Sequence, residues 1–239
     1  MSAGPEANES NTTTRQDLAG FGAGRLSIAV RMSTTTHRAL RLALASLLAV
    51  ALASQYIIGS TDSGLTAINF FSYFNVLSNT AAVVALTLLA IRPQCDSSLR
   101  FAIFRGAVTV YMAVTGLLYV TILYTQLADV GVPEPWIDLS IHVIGPVLVT
   151  ADWLYDSPPI ALPRQAMAIW LVFPAVYVVY ALVRGPIADW YPYPFLDPEE
   201  SGGYGPVKIR SAIVLVVILG FSSVFYWWSN HRLTEPAPA

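Results

Sequence analysis

The chain has 239 residues, of which 55% are hydrophobic and only 12% charged, with 13 Lys and Arg against 15 Asp and Glu. Ordinary globular proteins carry about 25% charged residues, so this composition cannot furnish a water-facing surface, and a mean hydropathy of +0.56 points to lipid as the solvent. The near-neutral balance also excludes a nucleic-acid binder, which would need a basic face.

One cysteine, Cys95, rules out an intramolecular disulfide framework or a thiolate metal cluster. Of the three histidines, His37, His142 and His231, only His142 falls inside an apolar stretch. No metal site, bis-histidine haem or organic cofactor is therefore expected.

Residues 1–36 are rich in Gly, Ser, Thr and Asn, without the apolar periodicity that would offset the entropy of ordering, and read as a disordered cytoplasmic tail. Met32 opens MSTTTHRALRL directly before the first apolar stretch and is an alternative translation start. A six-helix transmembrane domain is expected over 37–230, with 231–239 as a short cytoplasmic tail. Its apolar stretches cover about 39–59, 69–91, 101–124, 136–155, 166–184 and 210–228, each near the ~20 residues that a helix needs to cross ~30 Å of hydrocarbon. Runs such as AAVVALTLLAI show none of the two-residue alternation of a membrane barrel, so the fold class is all-α integral membrane.

Around the first stretch, His37-Arg-Ala-Leu-Arg41 and Ala51-Leu-Ala53 imitate a signal peptide with its cleavage site. The apolar run continues through Tyr56, Ile57 and Ile58, which favours a retained span. Placing both termini in the cytoplasm leaves only Arg184, Lys208 and Arg210 outside, among all 13 basic residues, as positive loops staying inside requires.

The second span reads NFFSYFNVLSN. At 100° per residue, Asn69, Ser72, Asn75 and Asn79 fall within about 120° of one another, a polar stripe that serves either as interhelical glue or as a site. The third adds Tyr111, Thr115 and Tyr119 at a spacing of four. In the fourth, WIDLSIHVIGPVLVTADWLY, Asp138 precedes His142 by four residues and shares its face, so the carboxylate is placed to orient the ring. Pro146 lacks the N–H that the His142 carbonyl needs, which predicts a kink at that level. Asp152 lies ~15 Å deeper than His142, and a cytoplasmic arginine such as Arg92 or Arg164 is its expected partner. The stretch 185–209 holds five prolines and several aromatics, which argue against a regular helix and suit either a lid over the outer mouth of the bundle or a surface loop.

Spans two and four run in the same direction, and counting residues from their outer ends puts Ser72 ~5 Å and His142 ~9 Å down, at a shared level. A serine hydroxyl beside a histidine supplies a nucleophile and its general base, the minimum for acyl transfer from an ester. Asn75 and Asn79 are candidate donors to the oxyanion.

With FFSYFNVLSN, WIDLSIHVIGP and the YPYPFLD loop, the chain resembles the androgen-induced membrane lipid hydrolases, as a bacterial six-pass relative, over roughly residues 38–230. The resemblance implies hydrolysis of fatty acid esters of hydroxy fatty acids, with Ser72 in the place of the family's threonine and His142 in that of its histidine. Serine retains the hydroxyl that the chemistry needs. The expectation is a plasma-membrane ester hydrolase with Ser72 and His142 as catalytic residues, Asp138, Asn75 and Asn79 in support, and membrane lipids with a lipid ester substrate as partners. Its rival is a non-catalytic lipid-binding regulator or small-molecule transporter. The oligomeric state is not legible in the sequence.

Overall fold

The computed structural model describes residues 33–123 and 134–234. Among them every regular element is helical, and six helices are long and apolar enough to cross a membrane: α1 (Thr34–Asp62), α2 (Phe74–Ile91), α3 (Leu99–Leu118), α4 (Pro135–Tyr155), α5 (Gln165–Ala188) and α6 (Tyr204–Arg232). The chain is thus a multi-pass membrane protein. Of the expected tails, 1–36 and 231–239, residues 1–32 with Met32 as a start site and 235–239 lie outside the described residues, while Thr34, Thr35 and Thr36 open α1 and His231 and Arg232 end α6.

Helix α1 packs on α2, α2 on α3, α3 on α4, and α6 against both α3 and α5. Helix α3 is the most buried of the six and belongs to both core clusters. One cluster joins Leu48, Leu86, Met112 and Ile141, and the other joins Trp153, Trp170, Tyr177, Ile218 and Phe225. Val172, Val176, Val179 and Val183 form an exposed apolar row on α5, the surface that acyl chains would solvate.

Three boundaries differ from the sequence expectation. The second span is not one helix from 69 to 91: a short helix, Ala67–Phe70, capped by the Thr66 side chain, stops at Phe71, and α2 begins only at Phe74. Helix α5 runs on to Ala188 with Pro174 and Pro186 inside it, and α6 starts at Tyr204 with Pro206 in its first turn. A first-turn proline costs little because that N–H has no intrahelical acceptor. The part of 185–209 outside the spanning helices therefore shrinks to 189–203, which itself holds short helical turns at Pro194–Leu196 and Pro198–Ser201. It leaves α5 through Asp189 in the left-handed conformation, φ 47°, and folds the Tyr191 ring over Gly185, where a Cβ would lie 2.0 Å from that ring.

One end of the bundle is held by charge. Asp152 accepts from Arg41 Nε at 2.8 Å and from Arg105 Nη2 at 2.8 Å, and meets His37 Nε2 at 2.7 Å. Arg41 continues to Asp156 at 2.9 Å, and Arg105 also binds Asp96 and the Asp156 carbonyl. The expected partners of Asp152, Arg92 and Arg164, are thus replaced by Arg41 and Arg105. These two reach inward from α1 and α3 at the level of Asp152 and are both nearly fully buried. A multi-donor arrangement is what a buried carboxylate requires.

Candidate functional site

At the other end the helices part around a cavity of about 590 Å³. Its wall is chiefly aliphatic and aromatic, from Ile58 and Leu65 on one side to Leu215 and Ile218 on the other, and the loop after α5 contributes Pro192 through Leu196. Size and lining fall in the range of small-molecule sites. The loop forms part of the cavity wall, and its rings interlock: Tyr73 packs edge-on against Trp190 and Tyr193, and Tyr193 stacks on Phe195.

One polar network faces this cavity, and it is built on a defect in α4. Residues Ser140–Ile144 form a π-helical turn in which the Gly145 N–H reaches back to the Ser140 carbonyl, just ahead of Pro146. The irregularity expected from Pro146 is present as this widened turn, a feature frequent at functional sites. The wide turn needs a thin neighbour, and Gly116 of α3 supplies it: a Cβ there would lie 2.8 Å from Pro146 Cβ.

His142 projects from that turn, 8% exposed. Its Nδ1 lies 2.8 Å from Asp138 Oδ1, the pairing that the spacing of four predicts. Tyr119 donates to the other Asp138 oxygen and stacks its ring on the imidazole, 4.6 Å between centroids at 4°. The second ring nitrogen, Nε2, is 2.9 Å from Asn75 Nδ2. The Asn75 amide is oriented by Tyr193, whose hydroxyl donates to Oδ1 at 3.3 Å and accepts from the Asn75 backbone N–H at 3.3 Å. Tyr193 donates to Oδ1, which leaves Nδ2 to donate to Nε2 and the Nδ1–H to point toward Asp138. Asp138 in turn receives two donors and is an ionised acceptor.

Ser72 stands apart from this network. The expected contact between its hydroxyl and His142 is absent: Ser72 Oγ donates to the Ile68 carbonyl at 2.7 Å and sits 2.7 Å from Tyr180 Oη on α5, fully buried and outside the cavity wall. The broken second span is the reason. A continuous helix would have stacked Asn69, Ser72, Asn75 and Asn79 on one face, whereas the break at Phe71–Tyr73 turns the first two toward α5 and the last two toward α4. Asn69 meets Arg184 of α5, and Asn79 donates to the Asn75 and Ile141 carbonyls. Asn75, one turn beyond Ser72, holds the place beside the imidazole that Ser72 was expected to take.

Residue spacing singled out His142, Asp138 and Asn75, and these three the structure brings together. It missed the importance of Tyr119, marked only by its spacing of four from Thr115, and of Tyr193, whose only signal was an aromatic in a proline-rich loop. No known protein family, curated protein or solved structure matches the chain.

Proposed function

We propose that the chain is a hydrolase of fatty acyl esters that works inside the membrane, with the Asp138–His142 pair as general base and water as the nucleophile. The observation that carries this reading is an imidazole held by a carboxylate and aimed through Nε2 at a single amide, at the wall of a cavity lined for an acyl chain. An arriving ester carbonyl oxygen takes the Asn75 N–H in place of Nε2. That exchange frees the ring lone pair and puts a donor where the oxyanion forms. Water then adds to the acyl carbon as Nε2 takes its proton, the bond to the alcohol oxygen breaks, and Nε2–H returns the proton to that oxygen. Asp138 stays ionised and holds the Nδ1–H throughout, and Tyr119 holds Asp138.

Ser72 is not the nucleophile in this scheme, because its hydroxyl is committed to Ile68 and Tyr180. The plasma membrane is the proposed site, with both termini cytoplasmic. Arg38, Arg41, Arg92, Arg100, Arg105 and Arg164 gather toward the charged end, which supports that orientation, and in it the cavity would face the outer leaflet.

Full-length protein purified in detergent and assayed on medium- and long-chain p-nitrophenyl esters tests the scheme. His142→Ala should lose on the order of 10²–10⁴-fold in turnover, while Ser72→Ala keeps most of it and wild type resists a fluorophosphonate probe. Turnover unchanged in His142→Ala sinks the proposal, and fluorophosphonate labelling lost in Ser72→Ala would replace it with a covalent route. The occupied state of both imidazole nitrogens favours one second reading, a lipid-binding protein that does no chemistry, for which wild type binds lipid and hydrolyses nothing.

A further inference from the structure

We infer that the cavity admits uncharged esters and rejects lipids that carry a carboxylate or phosphate, so that it expels the acid its own reaction makes; the part about expulsion rests on the hydrolase reading.

The charge of the wall is one-sided. Among its described residues are two carboxylates, Glu134 and Asp138, a histidine whose Nε2 faces the Asn75 amide, and neither lysine nor arginine. Asp138 already accepts from the imidazole and from the Tyr119 hydroxyl, so its charge is fixed by two donors rather than by a cation. The basic side chains expected at this end of the bundle do not contribute to the wall. Arg184 donates to Asn69 at its place over the Trp190 ring, Arg210 donates to Ser201, and Lys208 is exposed. The segment 124–133 lies outside the described residues, and its sequence holds no lysine or arginine.

A lipid anion entering this space would lose its water against apolar walls and meet Asp138 at the polar end with no cation to pair with. Both terms oppose it.

A second observation points to a neutral polar ligand. Thr115, Ser211 and Gln55 line the same cavity, and Thr115 Oγ1, Ser211 Oγ and Gln55 Oε1 are buried with no hydrogen-bond partner among the described residues. Buried hydroxyls are rarely left unpaired. Rotated toward the cavity that their residues line, they would offer donors and acceptors without charge, which suit an ester, carbonyl or alcohol on the ligand. An ester thus enters as a neutral molecule, and hydrolysis converts its acyl half into a carboxylate that the wall repels. Esters of hydroxy fatty acids, which keep a free carboxylate, fall on the rejected side.

The experiment compares p-nitrophenyl decanoate with the p-nitrophenyl monoester of decanedioic acid, equal in length but carrying a carboxylate at the far end. The binding arm follows thermal stabilisation of full-length protein in neutral detergent by 2-dodecanone, which cannot be hydrolysed, against dodecanoate. The charged ester should show kcat/KM lower by on the order of 30-fold, and 2-dodecanone should stabilise while dodecanoate does not. Glu134→Lys should narrow the ratio between the two esters. Equal turnover of both esters, or stabilisation by dodecanoate as strong as by the ketone, overturns the inference while leaving the hydrolase standing. Selective stabilisation by the ketone with no hydrolysis of either ester supports the charge selection and removes the hydrolase.

Discussion

The two ends of the bundle solve the problem of polar groups in an apolar interior in opposite ways. At the charged end, two arginines, a histidine and three aspartates bind one another across α1, α3, α4 and the 93–97 turn, and the void beside Arg105 and Asp152 measures about 10 Å³. At the aromatic end the polar groups form a thin chain, Tyr119 to Asp138 to His142 to Asn75 to Tyr193, along one side of a cavity some sixty times larger. Saturated charge closes a structure, whereas a polar chain with one replaceable link leaves room for a guest. The replaceable link is the Asn75–His142 bond, because a substrate carbonyl can accept the same amide hydrogen.

The comparison breaks most visibly at Asp152. Removing one partner of a buried pair costs about 3–5 kcal/mol. In Asp152→Asn, Arg41 keeps Asp156 and Arg105 keeps Asp96, so a loss near the lower limit, about 3 kcal/mol, is expected. Thermal unfolding in detergent measures it, and a midpoint equal to wild type would show that the cluster does not hold this end. Gly116→Ala probes the border of the two regions. A methyl at 2.8 Å from Pro146 Cβ forces α3 from α4, for about 1–3 kcal/mol. Because Pro146 follows the turn that carries His142, ester turnover should fall further than the stability loss explains. Retained turnover would show that the imidazole is positioned by Asp138 alone.

Most of the architecture was legible in the sequence because hydrocarbon imposes one requirement, about twenty apolar residues per crossing, on every helix. The His142–Asp138 pair was legible for a similar reason, since both residues lie on one helix and the spacing of four survives even a π-turn. Ser72 was not. Its direction depends on a break at Phe71–Tyr73, and the apolar residues there give no sign of it, since the Thr66 cap marks a start and not a stop. Nor were the partners of Asp152, because the choice among arginines on four helices is made by packing, which no one-dimensional spacing records. The prolines of 185–209 misled in the other direction: Pro206 falls in a first turn, where a helix tolerates it, and α5 runs two residues past Pro186 before it stops at Ala188.

Ser72→Ala is a smaller test of the same comparison. It removes the bonds to Ile68 and Tyr180, for about 1 kcal/mol, without touching the chain that ends at His142. A stability change of that size with turnover preserved places Ser72 among the ties between the second span and α5.

The smallest effect expected lies at the charged end and runs against its general rule. Asp96 is buried beside Arg105 at the turn before α3, yet among the described residues only one of its oxygens is satisfied, and Oδ1 has no hydrogen-bond partner there. Burial holds its carboxyl above the usual carboxylate range, and the attraction of Arg105 does not overcome that. A group that binds its proton more tightly folded than unfolded makes the folded state lose stability as pH rises from the ordinary aspartate value, about 4, through the raised one. Asp96→Asn keeps an oxygen for Arg105 and discards that titration. Relative to wild type, its unfolding midpoint should therefore climb as the pH is taken from about 4 toward 7. Asp152→Asn, which removes a carboxylate satisfied by several donors, should instead be the less stable protein at neutral pH. If both variants lose stability alike at neutral pH, then Asp96 is bound as tightly as Asp152 and the charged end is saturated without exception.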